Sequence, residues 1–375
     1  MDKASARYVA WLAVLGIAIL AGLFTAYKLL TEGLGALGGT DVVIWPMPIA
    51  AYIFFALTST GLTFVASMPL VFGLKQYEPI AKRAVFLGIA SLLAAFAALS
   101  IDLGSMANLY FFLISPNISS PIWWMGVLYA LELAMLLAKL WLLHKGDWQS
   151  RTSKTIGILA FISAIAASAT LGLVFGTIGA RPAYFGAFAP VYFMVTALLS
   201  GLAVIVLFSL AYYRLARGGL PAGAAPQYNS LGKILAYVTG FTLVLFLLRT
   251  IVGSLLSGSA GFMAFDHLVD SFTFQLVLWL GLVIPMLLLL IPAVRATTGG
   301  KVTAAALILL GLFIERMDYV LVGQLEPLGV RAMDVSGLAS PGNTVWEWLV
   351  VAASLAILLF AYTLGERYLK LEARG

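Results

Sequence analysis

Apolar runs about as long as a bilayer is thick follow one another through the chain from residue 8 to residue 368. Such a run crosses the hydrocarbon core as a helix of about 20 residues. Within lipid every backbone N–H and C=O must be paired internally, so only α-helices and closed β-barrels cross. Barrel strands alternate apolar and polar residues over about ten positions, whereas these runs are continuous. The sequence therefore predicts an all-α integral membrane protein, a single polytopic membrane domain over 1–375. About ten transmembrane helices are expected, near 8–30, 48–73, 84–105, 121–144, 155–180, 189–214, 229–256, 271–294, 302–324 and 345–368. Charged residues make up 10% of the chain, against roughly 25% in soluble domains, and a mean hydropathy of +1.03 agrees. The first run follows Lys3 and Arg7, is too long for a signal peptide and has no small-residue cleavage site after it, so it reads as an uncleaved anchor.

Lys and Arg in short loops mark the cytoplasmic side. With the N-terminus inside, Lys3, Arg7, Lys75, Lys82, Arg83, Lys145, Arg151, Lys154, Arg214, Arg217, Arg295, Lys301, Arg367, Lys370 and Arg374 fall on the inner side. Only Lys28, Arg181 and Arg331 fall outside. Both termini are expected in the cytoplasm. The basic excess, 22 Lys and Arg against 16 Asp and Glu, reflects this topology. No basic stripe interleaved with aromatics points to nucleic acid, and there is no Walker loop or zincin motif.

The segments YIFFALTSTGL from Tyr52 and YFMVTALLSGL from Tyr192 align at an offset of four helices. On this reading helices 2–5 and 6–9 form two four-helix bundles of the same orientation, repeat units near 48–180 and 189–324, with a flanking helix at each end. Chance likeness between two apolar helices explains the same residues.

The chain has no cysteine. That excludes disulfides, thiolate metal sites, iron–sulfur clusters and covalent c-type haem within it. Its two histidines, His144 and His267, fall on opposite sides and cannot ligate one haem together. Any iron–sulfur cluster must then belong to another chain.

Ionisable residues inside spans are costly and usually functional. Asp102, Arg249, Glu315, Arg316 and Asp318 fall in the outer half, Glu132 near mid-membrane and Lys139 deeper toward the cytoplasm. Glu132 and Lys139 lie seven residues apart, on one helix face two turns from each other. Glu132, Lys139, Arg249, Glu315, Arg316 and Asp318 are the candidate proton-relay set. Static alternatives remain: Glu132 paired with Arg249, Glu315 and Arg316 as an interhelical lock, and Asp102 as a cap on the following loop.

The stretch IDLGSMANLYFFLISPNISSP, residues 101–121, is too apolar for a solvated loop and too interrupted to span. A short interfacial or re-entrant element is expected there. Ser caps, Pro121 in the first turn and Trp123 and Trp124 at headgroup depth would then begin the fourth span.

This region resembles the signature of the NrfD/PsrC family, which includes polysulfide reductase membrane subunits and HybB-type hydrogenase subunits. The matching residues are Asp102-Leu103-Gly104, Pro116-Asn117 and Ser119-Ser120-Pro121, and IERMDYVLVGQ resembles the family's late Arg-containing helix. The resemblance implies a membrane subunit without haem or iron–sulfur cluster of its own. It would exchange electrons between a membrane quinone, menaquinone or similar, and an outer-face, ferredoxin-like iron–sulfur subunit that serves a molybdopterin catalytic subunit or a hydrogenase. The family's quinone site lies at the outer start of the second helix, and a family histidine there falls on Tyr52, whose O–H can also donate. The candidate quinone-binding residues are Pro48, Tyr52, Asp102, Asn108, Trp123, Trp124 and Tyr129. The expected location is a prokaryotic plasma membrane. The runner-up readings are the membrane subunit of a NiFe hydrogenase, a secondary transporter, and an anchor without a quinone site. Against transport, no helix pair carries matched central Gly/Pro breaks.

Overall fold

A computed structural model describes residues 3–40, 42–103, 108–256, 258–259, 262–327, 338, 342 and 344–372. Gly104 of the signature motif, together with Arg331 and Arg374 of the orientation argument, lies outside the described residues. Within them the elements are helical. Long helices α1 (Lys3–Glu32), α2 (Met47–Leu70) and α3 (Glu78–Asp102) come first. A four-residue helix, α4 (Phe111–Ile114), precedes α5 (Pro121–His144), α6 (Arg151–Gly176), α7 (Phe188–Ala216) and α8 (Ala225–Leu255). After the short α9 (Met263–Val269), the next span is composite: α10 (Phe272–Gln275), a π-helical segment (Leu276–Val283) and α11 (Ile284–Leu290). The chain then runs through α12 (Pro292–Ala296), α13 (Thr298–Val322) and α14 (Val345–Tyr368).

Among the described residues, nine helices are long and apolar enough to cross a membrane by length and composition. The charge-bearing α13, with 25 residues, is a tenth long helix. The protein is a multi-pass integral membrane protein.

The helix contacts form two rings. α2, α3, α5 and α6 pack in one; α7, α8, the composite span and α13 pack in the other. α2 and α7 press the rings together, and α1 pairs with α14 on the outside of α3. Burial follows this plan. Most of α2 is buried, whereas α1 turns Val14, Ile17, Leu20, Phe24 and Leu30 outward, as lipid contact requires. At the crossing of α2 and α7, Gly61 and Gly201 face each other; a Cβ on Gly61 would lie 1.7 Å from the Ala197 carbonyl oxygen. Small residues are what allow two membrane helices to approach backbone to backbone. A second such contact joins Gly281 of the π segment to Gly311 of α13.

One expectation about residues 101–121 needs correction. Ser120 stands at the N-cap of α5, but its side chain makes no capping hydrogen bond; Pro121 supplies the helix start instead. Asn117 Oδ1 accepts from the Ser119 amide and hydroxyl, which holds the turn. None of the four residues of α4 is buried, so this short helix lies on the surface of the bundle, as an interfacial element would. Leu113 and Ile114 are exposed at the surface.

Both termini come to one end of the bundle, where Tyr8, Ala216 and Arg367 line a common cleft and Arg217 pairs with Glu372. The same end carries a buried ion pair. Arg83 Nε donates to Glu366 Oε1 at 2.5 Å, and its guanidinium lies over Tyr212 and Tyr213. Lys82 donates to the carbonyls of Leu369 and Lys370, tying α3 to the end of α14.

Candidate functional site

The charges that the apolar pattern could not hide lie at the centre of the bundle, in two groups on either side of the α2–α7 contact. The first is built on α2 and α5. Glu132 is fully buried on α5; its Oε1 accepts from Thr63 Oγ1 at 2.8 Å and its Oε2 from Thr60 Oγ1 at 3.4 Å, both from α2. Among the described residues no cation pairs with it. One turn away on α5 is Tyr129, whose ring meets Tyr52 of α2 edge-on, with centroids 6.4 Å apart. Both phenols are buried; among the described residues neither hydroxyl makes a hydrogen bond of good geometry, and the Tyr129 hydroxyl lies beside Thr60. Buried polar groups are nearly always satisfied, so two such phenols beside an uncompensated carboxyl mark a place where a polar ligand or water is wanted. A separate small void of about 10 Å³ lies at the start of α2, between Pro46, Met47, Ala50, Val320 and Glu347, and none of Tyr52, Tyr129 and Glu132 lines it.

The second group is built on α7, α8 and α13. Arg249 of α8 pairs with Glu315 of α13 at 3.3 Å and lies over the Tyr319 ring at 4.4 Å. Arg316 approaches Glu315 Oε2 at 3.1 Å, donates to Thr196 of α7 and lies over Phe193. Asp318, half-buried, sits beside Thr273, Glu315 and Arg249. Arg249 therefore serves Glu315, and the static alternative of a Glu132–Arg249 pair is not realised. The lock among Glu315, Arg316 and Arg249 is present. It is incomplete among the described residues, where Arg249 Nε and Nη2 have no acceptor.

Lys139 lies two turns from Glu132 toward the end that carries the termini. Its ammonium donates to the Ser153 carbonyl at 2.8 Å and hydroxyl at 2.6 Å. Ser153 Oγ donates in turn to the Asp147 carbonyl. In the connecting loop the Asp147 carboxylate accepts from the Ser150 hydroxyl and amide, and these bonds hold its pKa below the ordinary carboxylate value, with Lys139 adding to the effect. Glu132, Lys139 and the first turn of α6 thus line up from the bundle centre to one surface.

The remaining sequence candidates are scattered. Pro48 is buried in the first turn of α2. Asp102 is half-buried at the last residue of α3, and Asn108 is exposed beyond it. Trp123 donates to the Phe112 carbonyl and stacks on that ring, and Trp124 donates to the Ile118 carbonyl. Both indoles are spent on holding the α4 loop and have no further donor to offer. Of the seven candidate ligand-binding residues, then, Tyr52 and Tyr129 join Glu132; Pro48 is buried at the start of α2, and Asp102, Asn108, Trp123 and Trp124 belong to the rim.

Several participants escaped the sequence reading. Thr60, Thr63 and Thr196 look like ordinary small residues of apolar helices until a partner helix is in place. Gln324 accepts from the Ile44 and Trp45 amides, and Glu347 accepts from the Met47 amide, so both brace the approach to α2. For Glu347 a signal was available: Thr344-x-x-Glu347 is a capping box at the start of α14.

Comparison with known proteins follows the same outline. The family model described as polysulphide reductase, NrfD, matches residues 35–327. A putative dimethyl sulfoxide reductase membrane subunit from Halobacterium salinarum is 26% identical over 96% of this chain and 91% of its own length. A selenate reductase subunit from Mesobacillus selenatarsenatis is 24% identical, covering 93% and 92%. An Hdr-like menaquinol oxidoreductase integral membrane subunit from Archaeoglobus fulgidus is 23% identical, covering 97% and 93%. The match takes in every residue of the two buried groups, and the chain belongs to the polysulphide reductase NrfD family.

Proposed function

We propose that this chain is the quinone-reactive membrane subunit of a respiratory oxidoreductase in a prokaryotic plasma membrane. It passes electrons between the quinone pool and an iron–sulfur subunit docked at the end opposite the termini, which serves a molybdopterin catalytic subunit. The relatives named as reductase and menaquinol oxidoreductase membrane subunits support the class. One observation carries the assignment of the site: among the described residues, Glu132 is buried without a cation and stands beside the Tyr52 and Tyr129 hydroxyls, which make no hydrogen bond of good geometry.

These residues fit a quinone's needs. A membrane quinone supplies two-electron, two-proton chemistry. The chain supplies donors for its carbonyl oxygens from Tyr52 or Tyr129, apolar walls from α2 and α5, and a carboxyl that holds or yields a proton at Glu132. Ring-sized access requires side chains to shift, because Tyr52, Tyr129 and Glu132 are all buried within the packed bundle. Lys139, Ser153 and Asp147 extend the polar groups from Glu132 toward the end bearing the termini, the side that the loop charges favour as cytoplasmic. Of the second group, Arg316 comes close enough to Tyr129 to act on it electrostatically.

The test is Glu132→Gln in the assembled complex. Quinol-linked turnover should fall by about 100-fold, the usual scale for loss of a general acid–base group, while the subunits still assemble. Wild-type turnover in that variant would remove Glu132 from the reaction.

A further inference from the structure

A second feature lies far from these groups. Between α1, α7 and α14, at the end where the termini meet, a cleft of about 790 Å³ opens at the surface. Its walls are apolar: Trp11, Leu207, Phe208 and Leu359. Along α7 it runs from Leu207 to Ala216, roughly 14 Å at 1.5 Å per residue, which is about the depth of one leaflet of a ~30 Å hydrocarbon core. Polar atoms in the walls are already committed. Trp11 Nε1 donates to Thr363, Tyr362 donates to the Phe208 carbonyl, and Glu366 is held by Arg83.

The mouth differs from the walls. The Arg367 guanidinium lies 4.4 Å from the Tyr8 ring centroid, and the buried Tyr8 hydroxyl, beside that guanidinium, makes no hydrogen bond of good geometry among the described residues. Arg7 and Arg214 are exposed at the same end. None of Arg7, Arg214 and Arg367 pairs with a carboxylate among the described residues. An apolar slot one leaflet deep under a cationic rim matches a molecule with a long hydrocarbon chain and an anionic head. An uncharged quinone would use the slot and leave the cations idle.

We propose that the cleft is a binding site for an anionic phospholipid, with an acyl chain between α1, α7 and α14 and its phosphate on Arg367 and Tyr8. The site is independent of the quinone reading. Guanidinium and phosphate form strong charge-assisted hydrogen bonds, and basic pockets between helices on the cytoplasmic side suit such headgroups.

The purified complex, stripped of lipid in detergent, is titrated with phosphatidylglycerol or phosphatidylcholine, and retained lipid is counted by native mass spectrometry. The wild type should retain phosphatidylglycerol at least about tenfold better than phosphatidylcholine. R367Q should weaken phosphatidylglycerol retention about fivefold, equivalent to ~1 kcal/mol, and phosphatidylcholine retention less, since its choline cation already offsets the phosphate charge. A211F, which fills the cleft wall, should abolish retention while quinol-linked turnover confirms an intact fold. Should A211F fail to assemble, the R367Q comparison decides alone. Equal retention of the two lipids by the wild type, or wild-type selectivity in R367Q, overturns the proposal. So does menaquinone retained in preference to phosphatidylglycerol.

Discussion

Gly61→Ala probes the contact that joins the two helix rings. The new methyl carbon would lie 1.7 Å from the Ala197 carbonyl oxygen, 2.6 Å from its carbon and 2.8 Å from the Gly201 nitrogen. All three are backbone atoms of α7, so no side chain can rotate away. Relieving the shortest contact to about 3 Å requires α2 and α7 to part by about 1.3 Å, and gaps of 0.5–1 Å already forfeit a quarter to a half of the dispersion energy along an interface. Overpacking typically costs 1–3 kcal/mol; with rigid backbone on both sides we expect about 3 kcal/mol or more. Gly16→Ala is the control, since nothing lies within 4 Å of its Cβ position and alanine is the better helix former by about 1 kcal/mol. Thermal unfolding of the purified complex, followed by monodispersity on size exclusion, should show Gly61→Ala clearly destabilised and Gly16→Ala equal to wild type or better. Equal stability of the two variants would refute the close crossing of α2 and α7.

Two further outcomes follow from the end that carries the termini. Glu366→Gln leaves Arg83 buried without its partner and should cost about 3–5 kcal/mol; replacing both residues by apolar ones should recover most of that loss in a double-mutant cycle. The Asp147 carboxyl titrates below its ordinary value because Ser150 donates to it, so its contribution is present above the unfolded value of about 3.9 and is lost as pH falls through the lower folded value. Ser150→Ala should therefore shrink the difference in stability between pH 6 and the acid side of that window, as read by urea or thermal unfolding at each pH.

Much of the architecture was legible because lipid imposes long apolar helices. The bounds of α5 and α14 coincide with the expected 121–144 and 345–368, where Pro121 and the Thr344 capping box mark the starts. Elsewhere the helices begin earlier than their apolar runs. α3 starts at Glu78 rather than 84, and α6 at Arg151 rather than 155. In α3 the charged residues near the start are compensated across the helix boundary: Lys82 and Arg83 find carbonyls and a carboxylate at the end of the neighbouring α14, which hydropathy cannot register. The π segment at Leu276–Val283 left no mark in the sequence either, since it is seen only where Gly281 meets Gly311.

The site was legible in its charges and not in their partners. Glu132, Lys139, Arg249, Glu315 and Arg316 stand out in apolar runs, and all five are buried. Which carboxyl meets which cation is a property of helix packing, and the threonines that serve Glu132 and Arg316 carry no distinguishing mark in sequence. The aromatic candidates divided by geometry as well: an indole pair looks like a ligand platform until Phe112 and Ile118 are seen to accept both of its N–H groups.

The central claim is that quinone meets the chain at Tyr52, Tyr129 and Glu132. Photo-crosslinking the assembled complex with a photoreactive menaquinone analogue, followed by peptide mapping, tests it most directly. The account predicts labels on α2 near Tyr52 and on α5 near Tyr129, reduced by competing menaquinone. Labels confined to Tyr8, Trp11 and Arg367 at the opposite end would contradict it.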